Sequence, residues 1–316
     1  LYRLGLGRYP TINNLYDPML VIGRVLGWHK RLRIVGAEHC PKEHPAVFCT
    51  NHFKLDDPFV VEAAIHLASD KNLWVVQMMR DDFFPQRYKT WLYDPNELLG
   101  MLGTRQISRS KVTLSQMKEF VELLRNNQSL LIFPGRSRSR SGLFMEYRED
   151  IQEPGSPSFL VAQVQRLEPA RVVRLVPVAR SYNPATQETT VAFGPPVILR
   201  HGADRHEQRA LDFQLIETMS ELIEIHVPHI VSGILYLRCL HKIRGPLSFV
   251  RLREDVGKVI GCIPHRLVAS AATVNLEEEL HLTLKYLESK DILRHLESDI
   301  LTNSEAILFA PPLDTT

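Results

Sequence analysis

The sequence contains no uninterrupted apolar run of the roughly 18 residues that a membrane-spanning helix needs. The best candidate, from Pro18 to Trp28, is short and is interrupted by Arg24. We therefore expect no spanning segment. Because the chain begins at Leu1 rather than at a methionine, an organellar targeting segment is left open.

Cysteine and net charge are also scarce. The four cysteines form no C-x-x-C pair, which argues against a disulfide framework and a structural zinc site and fits a reducing compartment. The 38 basic and 36 acidic side chains leave a formal net charge of only +2. We therefore expect no general attraction to nucleic acid, and any anion site must be local.

The sequence indicates neither a serine hydrolase nor a metal site. A Gly-x-Ser-x-Gly turn is missing, which disfavours a serine hydrolase. Four histidines lack cysteine partners and fall on predicted loops or helix edges, so we predict solvated side chains and no metal site. These histidines are His201, His206, His226 and His229.

The chain does contain an alternation of short apolar runs with amphipathic stretches. The predicted strands cover residues 32–35, 46–50, 73–78, 129–133, 172–178 and 189–193. Helices are predicted to begin at Pro58 and to lie near 113–125 and 157–166. This alternation predicts an α/β fold, with a mixed, mostly parallel sheet flanked by helices and a small C-terminal helical region.

The composition predicts two parts of the chain. Long helical patterns follow Pro195-Pro196, so we predict one domain over residues 1–205 and a helical C-terminal region over 206–316. Residues 1–30 carry apolar and basic side chains that suit either an interfacial helix or a helix packed on the domain. Residues 140–158 are predicted to form an excursion loop, a candidate lid.

The strongest local signal for chemistry lies just after the predicted strand at 46–50. That strand places Asn51 and His52 at its carboxyl end, where α/β sheets bind ligands. Imidazole exchanges protons near neutrality, and Asp57 can fold back to its other ring nitrogen. This H-x4-D spacing predicts a base with an orienting carboxylate. The alternative is that Asp57 only caps the helix that Pro58 opens, and we expect capping in either case.

A second signal follows the predicted strand that ends at Phe133. Three arginines, Arg136, Arg138 and Arg140, occur within five residues after a turn of small residues. Exposed backbone N–H groups and guanidinium forks suit phosphate oxygens. We predict a phosphate site there, with a weaker contribution from Arg109. A solvated basic loop and a short Arg/Ser run of the disordered kind are the alternatives.

Together these stretches resemble the glycerol-3-phosphate and lysophosphatidate acyltransferase superfamily, over roughly residues 30 to 200. Its first block, Asn-His followed by four residues and Asp, is similar to residues 51–58. The second, Gly and Arg separated by five residues, is similar to 103–109. The third, Phe-Pro-Glu-Gly-Thr-Arg-Ser or Gly-Gly-Arg-Ser-Arg, resembles 133–139. The fourth, an apolar strand carrying Pro, resembles 176–178.

The third block departs from the family pattern because its usual glutamate is absent. Gly135 stands in its place in a gapless alignment, and in the other alignment the glutamate is deleted. Arg138 matches an arginine in both alignments, whereas Arg136 is matched only in the second.

The resemblance implies direct acyl transfer without a metal or cofactor. His52 is expected to remove the proton of the acceptor hydroxyl group, so that the alkoxide attacks the thioester of acyl-CoA or acyl-carrier protein, and then to protonate the leaving thiolate. The acceptor's phosphate is expected to bind Arg138, Arg136 and Arg109. Asn51 and backbone N–H groups near Gly135 are candidates for oxyanion stabilisation or support.

The expected acceptor is glycerol 3-phosphate, in phospholipid biosynthesis, and lysophosphatidate is the alternative. Both readings imply a cytoplasmic protein that is peripheral on a membrane surface. A non-catalytic member that binds phosphate compounds or anionic lipid is the alternative of another class, and the missing glutamate favours it.

Overall fold

The computed structural model describes residues 31–54, 56–80, 104–107, 113–135, 156–243, 245–264, 275–296 and 299–302. Several predictions from the sequence therefore lie outside the described residues. They concern the segment 1–30, Arg109, Arg136, Arg138 and all of the predicted lid before Ser156.

Among the described residues, eight strands form the main sheet. They are β1 (Leu32–Val35), β2 (Ala46–Thr50), β3 (Val75–Arg80), β4 (Thr104–Ile107), β5 (Ser129–Ile132), β6 (Arg174–Asn183), β7 (Glu188–Phe193) and β8 (Val197–Ile198). Their order is β1-β7-β6-β2-β5-β3-β4, and β8 pairs with β6. The pairs β2–β5, β2–β6, β3–β4 and β3–β5 are parallel, and β6–β8 is antiparallel. The predicted mixed, mostly parallel sheet is confirmed.

One strand differs from the sequence prediction. No strand was predicted from the sequence next to Gly103, but Thr104–Ile107 forms β4 and pairs with β3. The prediction was wrong because these four residues carry only weak apolar periodicity. As the last strand in the sheet order, β4 depends on pairing with β3, which local sequence does not reveal.

Four helices accompany the main sheet: α1 (Asp57–Ala68), α2 (Leu114–Arg125), α3 (Pro157–Leu167) and α4 (Arg205–Glu221). Local sequence explains where two of them begin. Thr113 and Gln116 form a capping box at the start of α2, and the Ser156 side chain accepts a hydrogen bond from the Phe159 backbone at the start of α3.

The centre of the sheet determines where a site can form. All five residues of β2 are buried, as expected for a parallel strand covered on both faces. Cys49 lies beside Ile132 of β5 on one side and Pro177 of β6 on the other. The residues that follow these positions on all three strands therefore meet at one edge of the sheet, the edge formed by carboxyl ends.

The C-terminal part of the chain contains helices α5 (Val227–Leu240), α6 (Phe249–Cys262) and α7 (Leu276–Ser289). The helical character was predicted, but a small antiparallel sheet was not. Its strands are β9 (Leu247–Ser248), β10 (Leu293–Leu296) and β11 (Asp299–Thr302), in the order β10-β11-β9. Side chains such as Val231, Leu252 and Leu284 form a separate buried core here.

The described residues fall into two compact units. The first comprises residues within 34–180 and 191–220, and the second comprises 31–33, 181–190 and the residues from Glu221 onward. Helix α4 packs Leu211, Leu215 and Met219 into the core of the first unit. The division into domains 1–205 and 206–316 stays a prediction. No helix of the described part of the chain is long and apolar enough to cross a membrane.

Candidate active site

The structure brings His52 and Asp57 together at the carboxyl end of β2. The chain leaves β2 at Thr50, and α1 begins at Asp57. The Nδ1 atom of His52 lies 2.9 Å from the Oδ2 atom of Asp57. The Asp57 side chain is fully buried, whereas 24% of the His52 side chain is exposed. The five-residue spacing thus closes into the direct contact that the sequence suggested.

Asp57 accepts hydrogen bonds from the turn that precedes it. The backbone N–H groups of Phe53 and Lys54 donate to its Oδ2 atom over 2.6 and 2.7 Å. The capping role predicted for Asp57 is wrong, because Asp56 occupies the cap position and Asp57 is the first helical residue. Its carboxylate turns back toward the loop amides, which holds the turn and the imidazole in one arrangement.

A third charged residue completes this arrangement and was not predicted. Arg180 lies on β6 with only 1% of its side chain exposed. Its Nη1 atom donates to Oδ1 of Asp57 and, over 2.8 Å, to Oδ1 of Asp56, while Nη2 donates to Oδ2 of Asp56 over 3.2 Å. The available signal was a charged residue that directly continues the apolar run ending at Ala179, since buried arginines are rare unless paired.

The electrostatics of this cluster follow from its pairing. Burial lowers the pKa of Arg180, but the charges of Asp57 and Asp56 outweigh it and the pKa is raised. Burial likewise raises the pKa of Asp56, but its hydrogen bonds with Arg180 and the arginine's charge bring that pKa below its ordinary value. Arg180 also lies over the Phe53 ring, 5.3 Å from its centre.

Asn51 connects β2 to β6 through the backbone of Arg180. Its Nδ2 atom donates to the Arg180 carbonyl over 2.9 Å, and its Oδ1 atom accepts from the Arg180 N–H over 2.8 Å. Of the two roles predicted for Asn51, oxyanion stabilisation and support, these contacts describe support.

The third and fourth sequence blocks also reach this edge of the sheet. The Phe133 ring, one residue beyond β5, lies 4.6 Å from the His52 ring between centres. Gly135 follows in a turn and is half-buried. Val176, Pro177 and Val178 pair in parallel with residues 48–50. Three of the four blocks are therefore adjacent. Of the second block only residues 104–107 are described, as β4, and Arg109 lies outside the described residues.

The second ring nitrogen of His52 is its Nε2 atom. Within the described ranges, no side chain or backbone group forms a hydrogen bond with the Nε2 atom. In the same ranges, no cluster of three or more His, Cys, Asp or Glu side chains is placed to hold a metal ion. The geometry provides a partly exposed imidazole whose Nδ1 atom is held by a buried carboxylate, an arrangement suited to general base chemistry.

One of the four histidines predicted to be solvated is not. His226 is buried at the start of α5, and burial lowers its pKa to about 4. The prediction was wrong because a local position at a helix edge does not reveal how deeply the folded chain buries a side chain.

Comparisons with known proteins show what this part of the chain is similar to. Residues 31–153 match the family model described as Acyltransferase. Among curated proteins none matches the sequence. The chain is similar in fold to the crystal structure of the 1-acyl-sn-glycerophosphate (LPA) acyltransferase, PlsC, from Thermotoga maritima, with 14% identity, a TM-score of 0.38 and coverage of 61% of this chain and 72% of that chain.

Because the identity and the TM-score are this low, the solved structure supports no conclusion about the substrate of this chain. The likeness to a family comes instead from the match over residues 31–153, which include the His52–Asp57 pair and Phe133. Over those residues, the chain is similar to the acyltransferase family.

Proposed function

We propose that this protein transfers a fatty acyl group from the thioester of acyl-CoA or acyl-carrier protein to the hydroxyl group of glycerol 3-phosphate. The observation that supports it best is the contact of 2.9 Å between His52 and the fully buried Asp57, inside a domain of the acyltransferase family. Such a pair activates a hydroxyl group supplied by a substrate rather than by the protein.

The proposed reaction begins with the tautomer of His52 in which Nδ1 carries hydrogen and donates to Asp57. The Nε2 lone pair removes the proton of the acceptor hydroxyl group as its oxygen attacks the thioester carbonyl carbon. The tetrahedral intermediate then releases the thiolate, which takes the proton back from His52. Asp57 stabilises the imidazolium that exists between these two transfers, in the way that a buried carboxylate serves other catalytic histidines.

We propose that Arg138, with Arg136 and Arg109, binds the phosphate of the acceptor. The support for this proposal is closeness along the chain. The Phe133 ring contacts the His52 ring, and Arg136 and Arg138 follow Phe133 by only three and five residues. Three residues of extended chain span at most about 11 Å, so Arg136 starts within reach of a small acceptor at His52. Guanidinium groups bind phosphate oxygens in pairs, which would orient the hydroxyl group toward Nε2.

Lysophosphatidate remains the alternative acceptor, because it offers the same phosphate and a free hydroxyl group. For either acceptor we propose a cytoplasmic protein that works at the surface of a membrane, where fatty acyl products collect. Sedimentation of the purified chain with vesicles containing anionic lipid tests this location, and a chain that stays in the supernatant contradicts it.

The test of function is the transfer of labelled acyl groups from acyl-CoA and from acyl-carrier protein to each acceptor. We expect glycerol 3-phosphate to be acylated with the higher kcat/KM. We expect His52→Ala to lower kcat by about 10²- to 10⁴-fold, the usual contribution of a general base. We expect Arg138→Ala to raise the KM for the acceptor, because phosphate contacts act mainly in binding.

His201→Ala is the matched control, because His201 is an exposed histidine outside the site. Faster acylation of lysophosphatidate would establish the alternative acceptor. An unaltered kcat in His52→Ala would refute the mechanism. Binding of phosphate compounds without any transfer would identify a non-catalytic member of the family.

A further inference from the structure

We infer that Arg180 and Asp56 are positioning residues that aim Asp57 at His52 and set the pH at which this couple becomes active, an inference that rests on the proposed acyl transfer. Arg180 lies outside the four sequence blocks that suggested the reaction, and Asp56 occupies one of the four unspecified positions of the first block. Arg180 has 1% of its side chain exposed, so its guanidinium group is not available to a substrate phosphate.

The first support is the way Arg180 joins two neighbouring carboxylates. It binds both oxygens of Asp56, over 2.8 and 3.2 Å, and its Nη1 atom also donates to Asp57. Two carboxylates on consecutive residues would otherwise repel each other. The guanidinium group offsets this repulsion by binding both carboxylates, and it lowers the pKa of Asp56.

The second support is that the two carboxylate oxygens of Asp57 bind different partners. Arg180 binds Oδ1, while His52 and the backbone N–H groups of Phe53 and Lys54 meet Oδ2. With Oδ1 engaged by Arg180, rotation of the carboxylate away from His52 breaks charged hydrogen bonds in a fully buried place. Arg180 thus fixes the carboxylate in the orientation that His52 needs.

The third support is that Arg180 is itself held in place. Asn51 bonds both its backbone N–H and its carbonyl, and the ring of Phe53 lies 5.3 Å below the guanidinium group. The position of the Arg180 guanidinium group is therefore fixed by the connection between β2 and β6 as well as by the side chain's own contacts.

The charges near His52 make the inference quantitative. Asp56, Asp57 and Arg180 together carry a charge of −1, and protonation of His52 brings the group to neutrality. Lys54, in the turn between β2 and α1, is the other charged residue that acts on Asp56 among those described. Strand β5 contributes the uncharged Phe133. The protonation of His52 must therefore respond to loss of either Arg180 or Asp56.

The two losses should act in opposite directions. Removing the positive charge of Arg180 makes the imidazolium easier to form, so activity should begin to fall at a higher pH on the acidic side of the profile. Removing the negative charge of Asp56 makes the imidazolium harder to form, so the fall should occur at a lower pH. A residue with a merely structural role would not produce shifts of opposite sign.

The experiment measures kcat/KM against pH for the wild type, Asp56→Asn, Arg180→Gln and Arg180→Lys. We expect the acidic limb of the profile, the pH range over which kcat/KM falls as the solution becomes more acidic, to move down by about one pH unit in Asp56→Asn. In Arg180→Gln it should move up by a similar amount, because a nearby charge shifts a pKa by about this much. Arg180→Lys, which keeps the charge, should restore most of the wild-type limb. In Arg180→Gln, kcat should fall while the acceptor KM stays unchanged, because Arg180 does not touch the substrate.

Arg125→Gln is the matched control, because Arg125 also pairs with two carboxylates, those of Glu122 and Glu168, but lies on α2. Its acidic limb should coincide with that of the wild type. Since Arg180 is buried, Arg180→Gln is open to misfolding; Asp56→Asn then decides, because 37% of the Asp56 side chain is exposed.

A second readout separates this inference from the proposed function. An NMR titration of the His52 ring in the wild type and in Asp56→Asn needs no turnover. We expect the titration midpoint of His52 to be lower in Asp56→Asn. Equal midpoints, or a shift in the same direction as in Arg180→Gln, would overturn the inference. A shifted midpoint in a protein that transfers no acyl group would refute only the proposed function.

Discussion

At the residue scale, Asn51 shows how a side chain selected for its chemistry is used to join two strands. The sequence placed it beside His52, where an amide group can stabilise an oxyanion. In the structure its Nδ2 and Oδ1 atoms both bond the backbone of Arg180, so the residue holds β2 and β6 together at the site.

We therefore expect Asn51→Asp to lower the free energy of unfolding by about 1–3 kcal/mol, because a carboxylate cannot donate to the Arg180 carbonyl and leaves it unsatisfied. Urea unfolding measures this loss. Asn126→Asp, at an exposed helix end, is the control and should stay within about 0.5 kcal/mol of the wild type. If Asn51 instead stabilised an oxyanion, Asn51→Ala would lower kcat by about 10²- to 10³-fold at unchanged stability.

At the scale of the element, helix α1 is unusual because it is buried on nearly every side. A helix of this kind normally carries only apolar residues, yet Glu62 lies inside with 4% of its surface exposed. Its Oε2 atom accepts a hydrogen bond from Gln77 of β3 over 3.1 Å. Burial raises the pKa of Glu62 well above its ordinary value.

This raised pKa links the stability of the protein to pH. The unfolded carboxyl ionises near pH 4.3, whereas the folded one stays protonated to higher pH. The contribution of the neutral Glu62 carboxyl group to the stability of the folded protein is thus fully present below about pH 4.3. This contribution is lost as the pH rises through the pKa of Glu62 in the folded protein. Glu62→Gln keeps a neutral group of the same shape, so we expect it to unfold at higher urea concentrations than the wild type at pH 8 and at similar ones at pH 4.

Glu217→Gln, on the exposed face of α4, is the control for this comparison and should follow the wild type at both pH values. A Glu62→Gln protein that is less stable than the wild type at pH 8 would mean that the ionised carboxylate makes a favourable contact in the folded state.

At the scale of the whole molecule, helices α4 and α7 bury apolar side chains in separate cores. Leu215 of α4 belongs to the first and Leu284 of α7 to the second. The composition of the sequence assigned α4 to the helical C-terminal region, because amphipathic periodicity does not say which core a helix faces.

Hydrogen exchange distinguishes the two assignments of α4. Leu215→Ala and Leu284→Ala should each cost about 2–5 kcal/mol, the usual loss for a buried leucine. We expect Leu284→Ala to speed amide exchange in α5, α6 and α7 and to leave α4 and β2 protected. We expect Leu215→Ala to speed exchange in α4. Faster exchange of α4 in Leu284→Ala alone would favour the predicted boundary at residue 205.

Much of the fold and part of the site were predictable because they depend on neighbours in the sequence. Apolar periodicity located β2, β5, β6 and the helices between them, and alternation of strands with helices implied parallel pairing. The distance of five residues between His52 and Asp57 lets one turn close their contact. The role of Asp57 as a cap was wrong, because the direction of its carboxylate is decided by the loop amides it meets.

The sequence by itself determined which residues can exchange a proton and where on a strand they lie. The tertiary structure alone decided what surrounds them. Arg180 meets Asp57 across 123 positions of chain, and Phe133 meets His52, only because β6 and β5 flank β2 in the sheet. Strand order is set by how all the strands and helices bury their apolar faces together, and no local spacing encodes it.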